Sequence, residues 1–149
     1  MNILFLGDIV GNSGCSAIKK FLPVIVKSKN INFVIVNGEN AAKDGFGITD
    51  NIVDELLSCG IDVITTGNHA WDKRETFEYI KKQRRLLRPL NLSNDAPGNG
   101  FGIYESIGGY KVGVLNLMGN VFMKKSNDVF DTANKFIDNF ELKKHYDFL

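Results

Sequence analysis

Three times before residue 85 the chain repeats one pattern: a short apolar, β-rich run stops at small and polar residues, and apolar positions at helical spacing follow. The first unit reads as a strand over Asn2–Leu6, a loop from Gly7 to Gly14 and a helix to about Lys29, with Pro23 expected to kink or break it. In the second, a strand at Phe33–Val36 leads through Asn37-Gly38-Glu39-Asn40 and a glycine-rich loop. A helix follows from about Thr49, a natural N-cap, to Ser58. In the third, Ile61–Thr65 leads through Thr66-Gly67-Asn68-His69-Ala70-Trp71-Asp72 into a charged helix over about Lys73–Arg84. Nearly continuous apolar strands alternating with helices predict an α/β fold whose parallel sheet is covered on both faces. Ligands of such sheets bind outside the carboxyl ends of the strands, so Asp8, Glu39-Asn40 and Asn68-His69 should share one rim.

The texture changes from Pro89, where Asn91, Asn94, Pro97, Gly98, Gly100 and Gly102 make a long connection. Ile103–Ser106 and Tyr110–Asn116, joined across Gly108-Gly109, read as a hairpin. Asp131–Lys144 reads as a helix with Phe136, Ile137 and Phe140 on one face, and Tyr146–Leu149 as an opening strand. Phe122, Phe130, Phe136 and Phe140 are expected in the core.

Composition narrows the class. The 149 residues suffice for a single domain, 1–149, and at 44% hydrophobic they can bury a core, which excludes a disordered chain. A formal net charge of +1 gives no field for gripping a phosphate backbone by charge alone. The run Lys81-Lys82-Gln83-Arg84-Arg85 with Arg88 reads first as a solvated helix face, an RNA contact being the weaker reading. Cys15 and Cys59 lack zinc or disulfide spacing and read as inert thiols in a reducing, cytoplasmic setting. No apolar run approaches a membrane span of roughly 18 residues, and the apolar N-terminus lacks the features of a signal peptide.

Asp8, Glu39, Asn40, Asn68 and His69 offer carboxylate, carboxamide and imidazole donors, a set suited to Mn²⁺, Fe, Zn²⁺ or Mg²⁺. A carboxylate between two cations can hold them roughly 3.5–4 Å apart, and Glu39, on the middle strand end, is the candidate bridge. Taken singly, Asp8 could be a helix cap and Asn68-His69 a turn packed near Trp71. Asp44 and Asp72 read as loop and cap residues, and Trp71 as packing beneath the site. Gly7, Gly11 and Gly14 do not have the spacing of a dinucleotide-binding loop. A nucleotide-binding fold is further disfavoured because Val36 leads into Asn37-Gly38-Glu39-Asn40 rather than a lone ribose-binding acid.

Gly7-Asp8-Ile9-Val10-Gly11, Asn37-Gly38-Glu39-Asn40-Ala41-Ala42 and Gly67-Asn68-His69-Ala70-Trp71-Asp72 resemble the calcineurin-like metallophosphoesterases, specifically their YmdB-type bacterial branch. Arg88-Pro89 with Asn91, and Val114-Leu115-Asn116-Leu117-Met118-Gly119, resemble that family's later segments. The resemblance implies a layered metallophosphoesterase-like sheet and a phosphodiesterase acting on cyclic nucleotides or related phosphodiesters through two divalent metal ions (Mn, Fe or Zn). It makes Asp8 and Glu39 metal ligands, with Glu39 bridging; Asn40 and Asn68 complete the shell, and His69 is the catalytic histidine. It also implies that the chain corresponds to the N-terminal part of the domain, ahead of closing strands and three histidine ligands. Of the two histidines here, His145 precedes the incipient strand and takes no ligand role. Two further expectations follow from an incomplete ligand set and sheet: the chain could instead be a non-catalytic remnant acting as a binding or regulatory module, and it should self-associate as a homo-oligomer through the unpaired edge.

Overall fold

The computed structural model describes residues 1–123 and 125–149. Its elements are β1 (Ile3–Val10), α1 (Gly11–Lys29), β2 (Phe33–Asn40), α2 (Asp50–Ser58), β3 (Val63–Thr65), α3 (Arg74–Tyr79), β4 (Leu86–Leu87), β5 (Phe101–Glu105), β6 (Lys111–Leu115) and α4 (Val129–Asn139). Strands β1 to β4 form a parallel sheet in chain order, and β5 and β6 pair as an antiparallel hairpin.

Side-chain alternation along the strands separates two cores. Leu4, Leu6, Val34, Val36, Ile64 and Leu86 face a cluster built with Leu22 of α1, Val53 and Leu56 of α2, and Ile80 just beyond α3. On the other face Phe33, Val63 and Leu87 meet Val112 and Val114 of β6 and Tyr104 of β5. Burial pushes the Tyr104 phenol up to about 12. The hairpin's outer face carries Phe101, whose ring packs against Phe136 of α4 at 4.6 Å and Phe140 at 5.0 Å. The order of layers is therefore helices, parallel sheet, hairpin, helix. The expected layered α/β architecture holds, with helices on both sides, the second side being reached through the hairpin.

Several boundaries move for physical reasons. Both β1 and β2 continue through the polar residues read as loops, because Asp8 pairs with Asn37 and Val10 with Asn40, with register shifts that let the ends twist apart. Gly11 then turns the chain straight into α1 at φ +57°, a left-handed conformation that residues with a side chain rarely adopt. Pro23 does not end α1: it is exposed and forfeits one donor while neighbouring Leu22 is buried. Thr49 caps α2 as expected, its side chain accepting from the Ile52 N–H at 3.3 Å.

Helix α3 stops at Tyr79, well short of Arg84, and the basic run 81–85 is a turn leading into β4, a strand the charged pattern concealed. Arg88 is not part of a solvated face. It is buried, its guanidinium donates to the Pro89 and Leu90 carbonyls at 2.8 and 3.2 Å, and desolvation pushes its pKa down.

Helix α4 begins at Val129 under an Asp128 cap, the carboxylate accepting from the Asp131 N–H at 2.8 Å, and ends five residues before Lys144. Phe136 is buried, but Phe122, Phe130 and Ile137 are exposed, against the expectation for the two phenylalanines. The segment around Phe148 lies parallel to β6, the Gly113 N–H donating to the Phe148 carbonyl at 2.7 Å. Among the described residues β1 pairs on one side only, with β2, and Ile3 and Phe5 are exposed on the face away from α1. No described helix is long and apolar enough to cross a membrane.

Candidate functional site

The carboxyl ends of β1 and β2 and the turn after β3 form one rim. Asn40, the last residue of β2, donates its amide Nδ2–H to both oxygens of Asp8 on β1, at 3.1 and 2.9 Å. That bond fixes the carboxamide's orientation and leaves its Oδ1 buried with no partner among the described residues. One residue earlier, Glu39 reaches the other way, towards the turn after β3. A β-carbon built on Gly67 would lie 2.6 Å from Glu39 Oε1 and closer still to Oε2, so only glycine leaves room for the carboxylate. Glu39 Oε2 is also buried without a partner. Buried acceptors are normally satisfied, so two orphans on adjacent residues mark acceptor capacity directed at something other than protein.

Asn68 and His69 open the turn that follows β3, which Ala70 closes by donating its N–H to the Gly67 carbonyl at 3.2 Å. Asn68 is exposed at the rim beside Gly67, and His69 is partly exposed. The His69 Nδ1 lies 2.5 Å from Asp72 Oδ2, and the Phe46 ring meets the imidazole edge-on at 5.1 Å. Phe46 belongs to the loop between β2 and α2, which is clamped onto the turn after β3. Lys73 Nζ donates to both oxygens of Asp44 at 2.8 and 2.6 Å, a β-carbon on Gly47 would come within 3.2 Å of that of Asp72, and the Thr76 hydroxyl donates to the Ile48 carbonyl. The lysine holds the Asp44 carboxyl below its ordinary range. Trp71 is half-buried against the helical-side core, as expected of packing beneath the site.

The structure thus brings Asp8, Glu39 and Asn40 together, with Asn68 and His69 on the adjoining turn. It gives Asp72 a partner that the sequence did not suggest; the only available signal was its position one helical turn after His69. Among the described residues, no three His, Cys, Asp or Glu side chains gather tightly enough to hold a metal unaided, so the rim's donors are two carboxylates and neighbouring carboxamides. The orphaned Oε2 of Glu39 and Oδ1 of Asn40 are hard oxygen donors, which fits a divalent cation.

His145 accepts the Glu141 N–H on its Nδ1 at 2.9 Å and packs on Phe140, a structural placement away from the rim. Cys15 is buried on α1, its thiol near the Ala41 carbonyl at 3.5 Å, and burial pushes its pKa up, which suits an inert thiol.

Fold and rim together define a class: a layered α/β protein presenting carboxylates, carboxamides and an imidazole where its parallel strands end. The chain belongs to the YmdB-like protein family, whose model matches residues 4–149. A 2',3'-cyclic-nucleotide 2'-phosphodiesterase of Bacillus subtilis is 40% identical over 137 residues, 92% of this chain and 51% of that protein. Among solved structures, a Thermus thermophilus protein described as hypothetical superposes with a TM-score of 0.86 at 33% identity, over 95% of this chain and 54% of its own. A phosphatase from Mycoplasma pneumoniae superposes with a TM-score of 0.84 at 29% identity, over 93% and 51%. The chain spans about half the length of these relatives.

Proposed function

We propose that the rim contributes to a divalent-metal phosphodiesterase centre acting on cyclic nucleotides or related phosphodiesters, with two metal ions (Mn, Fe or Zn). The observation that carries this reading is the pair of buried, unpartnered oxygens on Glu39 and Asn40 beside Asp8. The similarity to a cyclic-nucleotide phosphodiesterase supplies the substrate class.

In this reading Asp8, Glu39, Asn40 and Asn68 would hold the metals. When bound, such metals neutralise phosphate charge and lower the pKa of water from 15.7 towards about 7, so the protein need supply no side-chain nucleophile. Asn40 keeps the Asp8 carboxylate from rotating. Gly67 keeps space for the Glu39 carboxylate next to Asn68. His69, partly exposed at the rim, donates a proton to the departing alkoxide oxygen, and Phe46 restricts its ring.

Metal content and hydrolysis of a 2',3'-cyclic nucleotide, measured on Glu39→Ala and His69→Ala in an enzyme with the complete domain, test the assignment. Glu39→Ala should lose metal and turnover together. His69→Ala should keep its metal and lose about 10²–10⁴-fold in rate. Undiminished metal in Glu39→Ala would sink the reading, and an unchanged rate in His69→Ala would remove that residue's role. A second reading, a non-catalytic binding module, draws on the absence of a self-sufficient acidic or histidine cluster among the described residues. Metal that depends on Glu39 but supports no hydrolysis in any preparation would favour it.

A further inference from the structure

We propose that Asp72 is the positioning residue for His69, fixing the ring in the Nδ1–H tautomer so that Nε2 is the atom presented to the leaving group. This rests on the role given to His69 above and adds to it the group that orients the imidazole.

The two side chains meet at 2.5 Å, from His69 Nδ1 to Asp72 Oδ2. An ionised carboxylate has no proton to give, so in the neutral ring the shared hydrogen sits on Nδ1 and the lone pair on Nε2. Among the described residues the Asp72 carboxylate has no other hydrogen-bond or ion-pair partner. The neighbouring cation, Lys73, is committed to Asp44 across the loop. The backbone holding Asp72 is fixed by its own N–H, which donates to the His69 carbonyl at 3.3 Å. With 42% of the Asp72 side chain exposed, the pair contributes little to stability, because water screens solvent-exposed ion pairs. Orientation is the stronger account of the contact. With Asp72 on one side and the Phe46 ring edge-on at 5.1 Å, rotation about the imidazole's bond to the chain is confined.

The proton accounting follows. The doubly protonated ring gives its Nε2 proton to the departing alkoxide oxygen. What remains is a neutral imidazole with Nδ1–H still on Asp72, and no second transfer is needed.

His145 is a built-in control. Its Nδ1 accepts a backbone N–H, so its neutral ring must carry the hydrogen on Nε2, opposite to His69. The chain has these two histidines and no others, so its imidazole ¹⁵N spectrum contains two spin systems, told apart with His145→Gln. The experiment is a long-range ¹H–¹⁵N correlation spectrum of the 149-residue chain, carried to alkaline pH until the shifts are constant, so that the neutral rings are read. The expected result is Nδ1–H for His69 and Nε2–H for His145. In Asp72→Ala, which removes only the carboxylate, His69 should move to predominantly Nε2–H while His145 stays unchanged.

Nε2–H at His69 in the unaltered chain would overturn the proposal, and that half of the test does not depend on any variant folding. Retention of Nδ1–H in Asp72→Ala would overturn it equally. A chain that gives the expected tautomers but binds no metal and hydrolyses nothing would remove the phosphodiesterase reading and leave Asp72 as the residue that sets the ring.

Discussion

Asn91 and Asn116 on one hand, and Glu39 and Asn40 on the other, are polar residues drawn into the protein near the same strand ends, yet they are used in opposite ways. Asn91 is fully buried and spends its amide completely. It donates to the Met118 and Asn127 carbonyls at 2.7 and 3.1 Å and accepts from the Met118 N–H at 3.0 Å. Asn116 donates to the Thr66 and Leu87 carbonyls at 2.8 and 3.1 Å, tying the end of β6 to the ends of β3 and β4. Glu39 and Asn40 each leave a buried oxygen unpaired. The first pair closes irregular backbone that would otherwise strand its polar groups. The second keeps acceptors that folding alone would have satisfied or exposed. Asn91 and Asn116 are buried as whole residues and Glu39 and Asn40 only in part, yet it is the second pair whose buried oxygens go unsatisfied.

The largest stability loss should therefore come from the satisfied pair. Asn91→Ala strands a buried N–H and two carbonyls, and chemical denaturation should show a loss of about 3 kcal/mol, on the scale of 1–3 kcal/mol per abandoned buried group. A loss below about 1 kcal/mol would mean that water replaces the amide and that the contrast is overstated.

Gly67→Ala comes next. Its β-carbon would enter the space of the Glu39 carboxylate, and overpacking of this kind costs about 1–3 kcal/mol. Because the side chain displaced is a proposed metal ligand, the same substitution should weaken Mn²⁺ binding, measured by calorimetry. Unaltered binding would show that the Glu39 position is not what the metal needs.

The smallest stability change should come from Glu39→Gln. Replacing a half-buried carboxylate that has one orphaned oxygen with a neutral amide should leave metal-free stability within about 1 kcal/mol of the parent. Metal affinity should fall at least about tenfold, the lower end of what disturbing a metal's supporting shell costs. A strong destabilisation without metal would place Glu39 with Asn91 and Asn116 as a structural residue.

Much of this arrangement was legible in the sequence, because the three strand ends carry their polar residues immediately after apolar runs, where the topology of a parallel sheet sends them to one rim. The Thr49 cap and the Gly108-Gly109 hairpin were legible for the same local reasons. What escaped is set by pairing between distant segments. Gly7–Val10 and Asn37–Asn40 look like loops by composition, but they remain strands because each supplies the other's ladder. Leu86–Leu87 is too short to outweigh the basic run before it and becomes β4 through Ile64 and Thr65. Arg88 reads as a surface cation until the Pro89 and Leu90 carbonyls are seen around it. Asp72 reads as a cap, and only the turn closed by Gly67 and Ala70 brings it to His69.

The central claim, that the unpaired oxygens of Glu39 and Asn40 are metal donors whereas the buried asparagines are structural, is tested most directly by paramagnetic broadening. Substoichiometric Mn²⁺ added to the ¹⁵N-labelled chain should broaden the backbone amides of Asp8, Glu39, Asn40 and Asn68 first, and those of Asn91 and Asn127 much later. The effect should be absent in Glu39→Gln at the same Mn²⁺ concentration. Broadening that begins elsewhere, or that persists unchanged in Glu39→Gln, would contradict the account.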